Sequence, residues 1–206
     1  MSDPHANPHV SAWAVLCCLM PALSGCISYN TPGDLTFVSV REVDWRDVPE
    51  LSQPNPLLGV QQRRGPLIKV EFSTNTNLFK FSRDNSYPIG TLAFFCDQSE
   101  GLARLQHSAV YSQGERVDIA DDQQAKWAAV QEQLNHYIFF DVEAEAQPKA
   151  KPPRRAYDLR QDPEDVCFHL RGGAAPAPFG FRSNTVVVPK AAIAAALRGE
   201  PAGALP

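Results

Sequence analysis

A basic surplus is missing from this 206-residue sequence, in which 19 Lys and Arg stand against 23 Asp and Glu for a formal charge of −4. A general nucleic-acid binder neutralises phosphates with an excess of cations, so nucleic acid is not an expected partner. Familiar catalytic patterns are missing too. The sequence has no Gly-x-Ser-x-Gly nucleophile elbow, no His-Glu-x-x-His zinc helix and no phosphate-cradling glycine loop. No cofactor and no metal are expected on that basis, and no catalytic residue is assigned. Cysteine is scarce, with five in the chain. Proline is not, and its 18 copies cluster outside the apolar runs, as in strands punctuated by stiff turns and long loops. Apolar residues at 44% and charged residues at 20% are ordinary for a folded domain.

The N-terminus carries the most specific signal. Ser11 to Ala22 reads SAWAVLCCLMPA, too short for a membrane span of about 20 residues and suited to the core of a signal peptide. Leu23-Ser24-Gly25-Cys26 follows at once. This segment resembles the lipobox of bacterial lipoproteins, aliphatic–small–small–Cys at the end of a signal peptide. The resemblance implies that the Cys26 thiol takes a diacylglycerol, that a lipoprotein signal peptidase recognises Leu23, Ser24 and Gly25, and that cleavage falls before Cys26. Two or three acyl chains of the palmitate kind give stable anchoring, where one is marginal. Ile27 follows the cysteine. An Asp there resembles an inner-membrane retention signal, so its absence implies the outer membrane, with the domain in the periplasm. The opening MSDPHANPHV departs from the usual pattern: it has no Lys or Arg, and only the terminal amine, His5 and His9 can carry positive charge.

Asp3 is the only charged residue ahead of Cys26, so 19 cations and 22 carboxylates remain after cleavage, a net of −3. Cys17 and Cys18 leave with the signal peptide and Cys26 is acylated. Cys96 and Cys167 then remain, and an oxidising periplasm favours joining two nearby thiols. A bond closing a loop of about 70 residues is worth roughly 4 kcal/mol in the chain-entropy model. The other reading is two separate buried thiols.

Organisation downstream reads as residues 1–25 signal peptide, 26–34 tether, 35–199 a single β-rich domain and 200–206 a disordered tail. Leu35 to Trp45 reads as a strand, with a bulge expected at Arg41–Glu42 because Val43 and Trp45 fall out of phase with Val38 and Val40. Arg46 to Pro66 reads as a long loop. Ile68, Val70 and Phe72 alternate; Leu78 to Ser82, with Phe79 and Phe81, reads as a further strand; Ile89 to Cys96 reads as a central strand covered on both faces. Shorter strands are expected at Ser108–Tyr111 and Arg116–Ile119 around a Gln113-Gly114 turn. Asp121 or Asp122 caps a mid-chain helix with Trp127, Val130 and Leu134 on one face, ended by Asn135. Strands resume at Tyr137–Glu143 and around Val166, Phe168 and Leu170, with Phe179–Val188 as one strand or a bent pair. Pro189 opens a short C-terminal helix that Gly199 ends. The expected class is mainly β, a β-sandwich or a β-rich α+β domain, with those two helices.

Five candidates for chemistry follow from the residues. Lys149, Lys151, Arg154 and Arg155, among the prolines of Ala144 to Ala156, are either a basic binding loop for anionic lipid or simply a solvated loop, and charge runs are usually the second. Cys167 and His169 share a strand face and with His107 or His136 can form a metal site, provided Cys167 is not in a disulfide. A Cys167 nucleophile meets the same condition. Asp97, Glu100, Asp141 and Glu143 are available as acids or bases, with nothing pairing them. The phenylalanines from Phe72 to Phe95 read as core, with a lipid cavity as the other use. The functional expectation is a non-enzymatic module, tethered to the membrane by lipid, that binds a periplasmic or envelope protein. The alternatives are an immunity lipoprotein that neutralises a secreted toxin and an envelope hydrolase.

Overall fold

The computed structural model describes residues 31–52, 65–86, 88–98, 105, 109–117, 125–130, 134–149, 154–173, 180–200 and 202–203. The described chain is mainly β. Strands β1 (Thr36–Asp44), β2 (Pro66–Ser73), β4 (Tyr111–Ser112), β5 (Glu115–Arg116), β6 (His136–Asp141) and β12 (Ala202–Gly203) make one sheet, in the order β12-β1-β2-β6-β4-β5. Strand β3 (Ile89–Phe95) pairs with β9 (Val166–Gly173) along seven positions. The opposite edge of β9 takes β10 (Gly180–Arg182) and β11 (Val186–Val188) one after the other. Every pairing between these strands is antiparallel.

One apolar layer joins the two sheets. Val40, Ile68, Val70, Phe72, Ile138 and Phe140 face it from the larger sheet, and Ile89, Ala93, Phe95, Val166, Phe168 and Leu170 from the smaller. Phe72 meets Phe168 edge to face across the layer, ring centroids 5.3 Å apart. Each fully buried phenylalanine contributes on the order of 1.5–3 kcal/mol relative to exposure, so this seam dominates the stability of the domain. Gly172 is forced by the same packing. A Cβ there would lie 2.3 Å from the Pro88 carbonyl oxygen and 2.6 Å from the Phe181 ring.

Helix α1 (Pro49–Ser52) follows a 3-10 turn at Trp45–Asp47. Helix α2 (Leu78–Asn85) stands where Phe79 and Phe81 suggested a strand. The buried residues Leu78, Phe79, Phe81 and Ser82 are spaced for one helix face rather than a pleat. Asn77 decides the matter: its side-chain oxygen accepts the Lys80 N–H at 3.0 Å and caps the helix. The Asn77 amide donates at 2.9 Å to the carbonyls of both Trp127 and Val130, tying α2 to the short helix α3 (Ala125–Ala128). The mid-chain helix is therefore a single turn among the described residues; Asp121 and Asp122, its expected caps, lie outside them.

Four further expectations are corrected. The bulge in β1 falls between Phe37 and Ser39, not at Arg41–Glu42. Val43 and Trp45 are out of phase with Val40 because they pack on the opposite face, against a second apolar cluster. Residues 31–34 are not a free tether, since the Thr74 hydroxyl donates to the Gly33 carbonyl at 2.7 Å. The tail is not wholly disordered: Ala202 and Gly203 pair with Val40 and Ser39 at the edge of β1. Helix α4 (Lys190–Leu197) begins one residue after Pro189, which sits extended at the cap position, and Gly199 follows its end with φ 76°. The strand pair after β9 is bent as expected. Ser183 fills the corner, its hydroxyl accepting the Leu170 N–H at 2.8 Å while its own N–H donates to the Leu170 carbonyl at 2.9 Å.

Candidate functional site

The residues of the lipobox resemblance, Leu23 to Cys26, lie outside the described residues, as do Lys151, His107 and Glu100. Cys96 and Cys167 are joined by a disulfide between the end of β3 and the start of β9, with Cα atoms 5.0 Å apart. That bond removes Cys167 as a metal ligand and as a nucleophile. His169 lies on the same side as Cys167, its ring 6.1 Å from Phe94, whereas His136 is on β6 of the other sheet, against Phe72 at 5.7 Å. Sheet topology separates the two imidazoles. No cluster of three His, Cys, Asp or Glu suited to a metal exists among the described residues.

His136 is nonetheless unusual. It is fully buried, and neither ring nitrogen has a hydrogen-bond partner. Burial disfavours the imidazolium and lowers the His136 pKa to about 4.

The segment read as a basic loop is a β-hairpin. Strands β7 (Glu143–Ala144) and β8 (Tyr157–Asp158) pair, and Gln147 and Arg154 extend the ladder with reciprocal backbone bonds of 2.9 and 3.1 Å. Among the described basic residues, Lys149 and Arg155 are placed differently. Lys149 is exposed near the tip, whereas Arg155 folds back, its guanidinium 4.4 Å from the Phe95 ring centre and paired with both oxygens of Glu164.

The outer face of the six-stranded sheet holds a group of residues that sequence reasoning passed over. Leu67, Lys69 and Glu71 of β2 alternate with the core residues and point away from the main layer, next to Tyr137 and Phe139 of β6. Val48 and Leu51 from the turn and α1 pack on Leu67, Tyr137 and Phe139 as a second small core. Tyr137 stacks on Tyr111, with centroids 5.8 Å apart, and its hydroxyl donates to the Glu50 carboxylate while accepting the Gly114 N–H at 3.2 Å. Burial and the Glu50 contact raise the Tyr137 pKa above its ordinary value, so the phenol stays protonated as a donor. The Lys69 ammonium lies 3.8 Å from the Tyr137 ring centre and 3.1 Å from Glu71, whose other oxygen accepts the Ser39 hydroxyl at 3.0 Å. Burial works to raise the Glu71 pKa. The bonds from Lys69 and Ser39, with the charges of Lys69 and Arg41, outweigh it and hold the carboxyl below its ordinary range. The signal for this face was in the sequence: Tyr137 and Phe139 interleave with Ile138 and Phe140, so β6 is apolar on both sides.

No protein-family model matches the chain, and neither a curated protein nor a solved structure is significantly similar to it.

Proposed function

We propose that this protein is a bacterial lipoprotein, anchored through Cys26, whose β domain binds another protein at the envelope. The observation that carries the reading is the Cys96–Cys167 disulfide. With those two cysteines bonded to each other, Cys26 is the one remaining thiol downstream of the apolar run, at the end of Leu23-Ser24-Gly25-Cys26. Disulfides persist in oxidising compartments such as the periplasm, which is where lipobox processing delivers a domain. Two features of the domain support binding. The two arms of the hairpin are bridged at Glu143–Asp158, Ala144–Tyr157 and Gln147–Arg154, and Glu145 to Lys149 are exposed, so little entropy is lost when a partner docks on them. On the outer sheet face Arg41 is exposed beside the half-buried Trp45, and Arg and Trp are among the residue types that dominate binding energy at protein interfaces.

The reading is tested in two assays, one in cells and one with the purified protein. Crosslinking in intact envelopes should yield one discrete partner adduct, lost when the hairpin tip is shortened. Incubation with phospholipid, peptidoglycan and ester substrates should give no turnover above buffer. Sustained turnover, abolished by a single substitution that leaves the fold intact, would overturn the binding reading in favour of an envelope hydrolase.

A further inference from the structure

The outer face of the larger sheet carries a charge arrangement that the fold does not need. Arg41 of β1 and Lys69 of β2 are directly opposed in register, so two cations share one rung on the same face. Like charges opposed across a strand pair weaken a sheet. Glu71, beside them on this face, is committed to Lys69 at 3.1 Å and to the Ser39 hydroxyl at 3.0 Å, and Glu42, Asp44 and Glu200, which line a cavity with Arg41, are paired with Arg160, Arg46 and Arg198. Two cations against one anion leave a single positive charge on the rung. It rests on Arg41, which is exposed and has no carboxylate at ion-pair distance among the described residues.

The surroundings of Arg41 suit recognition. Val43 and Trp45 continue its face of the chain, half-buried against the second small core, and Tyr137 lies one strand beyond Lys69. Lys69 itself is mostly covered, its side chain 14% exposed, so its field is less screened by salt than that of a surface lysine. A guanidinium presents a planar pair of donors that matches a carboxylate at two points.

We propose that this strip is the specificity-setting part of the interface, and that it receives an acidic side chain of the partner protein across Arg41 and Lys69. The inference rests on the binding-module reading above and deepens it. An acidic protein group complements the surplus charge, while the half-buried Val43 and Trp45 provide the apolar margin beside it. An Asp or Glu carboxylate docked there relieves the opposition of the two cations, so docking and local sheet stability reinforce each other.

The test uses the purified full chain and hexaglutamate as probe, read by amide NMR. Hexaglutamate should shift the Arg41, Val43 and Lys69 resonances saturably, and Arg41→Gln should weaken that binding about tenfold with a melting temperature no lower than that of wild type. Arg41→Glu, a charge reversal at an exposed position, should abolish it. Shifts that map to Lys149 and Arg154 instead, or that persist in Arg41→Glu, would overturn the proposal. So would hexalysine or phosphatidylglycerol vesicles moving the Arg41 and Lys69 resonances where hexaglutamate does not. Each of those results leaves the binding reading standing, since that reading is decided by envelope crosslinking and by turnover.

Discussion

Asn184 bonds both backbone groups of Leu35, its side-chain oxygen accepting the Leu35 N–H at 3.0 Å and its amide donating to the Leu35 carbonyl at 2.9 Å. Leu35 leads into β1 of one sheet, and Asn184 stands in the corner between β10 and β11 of the other. One side chain from the smaller sheet's corner therefore satisfies both backbone groups of Leu35 at the entry to the larger sheet. Each such bond contributes a net of about 1 kcal/mol, so Asn184→Ala should lower unfolding stability by about 2 kcal/mol in urea titration. Asn184→Asp keeps one acceptor and aims the other at a carbonyl, and it should recover none of the loss. A variant as stable as wild type would show that the two sheets do not depend on this bridge.

Asn77 does comparable work at the helices, capping α2 and bonding the carbonyls of Trp127 in α3 and of Val130 just after it. Asn77→Ser retains a cap but not the second contact. It should fall between wild type and Asn77→Ala, with the latter losing about 2 kcal/mol by thermal or chemical denaturation. Equal losses for Ser and Ala would mean that the cap contributes nothing.

These two asparagines mark the boundary of what the sequence discloses. Ile68, Val70 and Phe72, and again Val166, Phe168 and Leu170, alternate with the period of a pleat, and both runs are strands with those residues in the core. Phe79 and Phe81 also alternate, yet they lie on a helix, because two residues at i and i+2 fit either period and only the cap separates them. The second face of β1 was misread as a bulge, since Val43 and Trp45 signal a second cluster only once α1 is known to cover it. Pairing of Ala202 and Gly203 with β1 depends on a neighbour far away in sequence and leaves no local pattern. For the candidate sites the division is similar. The disulfide was legible from thiol counting, but the meeting of Glu50, Tyr137, Lys69 and Glu71 is a product of register.

His136 makes stability fall in acid. Its pKa is about 4 in the folded protein against 6.5 for an ordinary imidazole. Above pH 6.5 both states are neutral and the group adds no pH dependence. Between pH 6.5 and 4 the unfolded chain takes a proton that the folded chain refuses, so stability drops as pH falls, by up to about 3 kcal/mol. His136→Leu, close in volume and without polar atoms, should match or exceed wild-type stability at pH 7 and remove most of the slope between pH 6.5 and 4. An unchanged slope in that variant would assign the acid sensitivity to other groups.

The basic residues of the hairpin should separate into two kinds. Arg155 is held against Phe95 and Glu164, so Arg155→Ser should cost about 1 kcal/mol of stability. Lys149 is exposed at the tip, and Lys149→Ser should stay within about 0.5 kcal/mol of wild type in the same denaturation assay. Equal effects would mean that Arg155 contributes no more than a solvated charge.

The most direct measurement for the account as a whole is peptide mass mapping, without reduction, of the protein recovered from a bacterial membrane fraction. The account predicts an N-terminal peptide that begins at Cys26 and carries a diacylglyceryl group, together with a linked peptide pair containing Cys96 and Cys167. An N-terminal peptide beginning at Met1 or Ser2, with Cys26 unmodified and alkylatable, would contradict it.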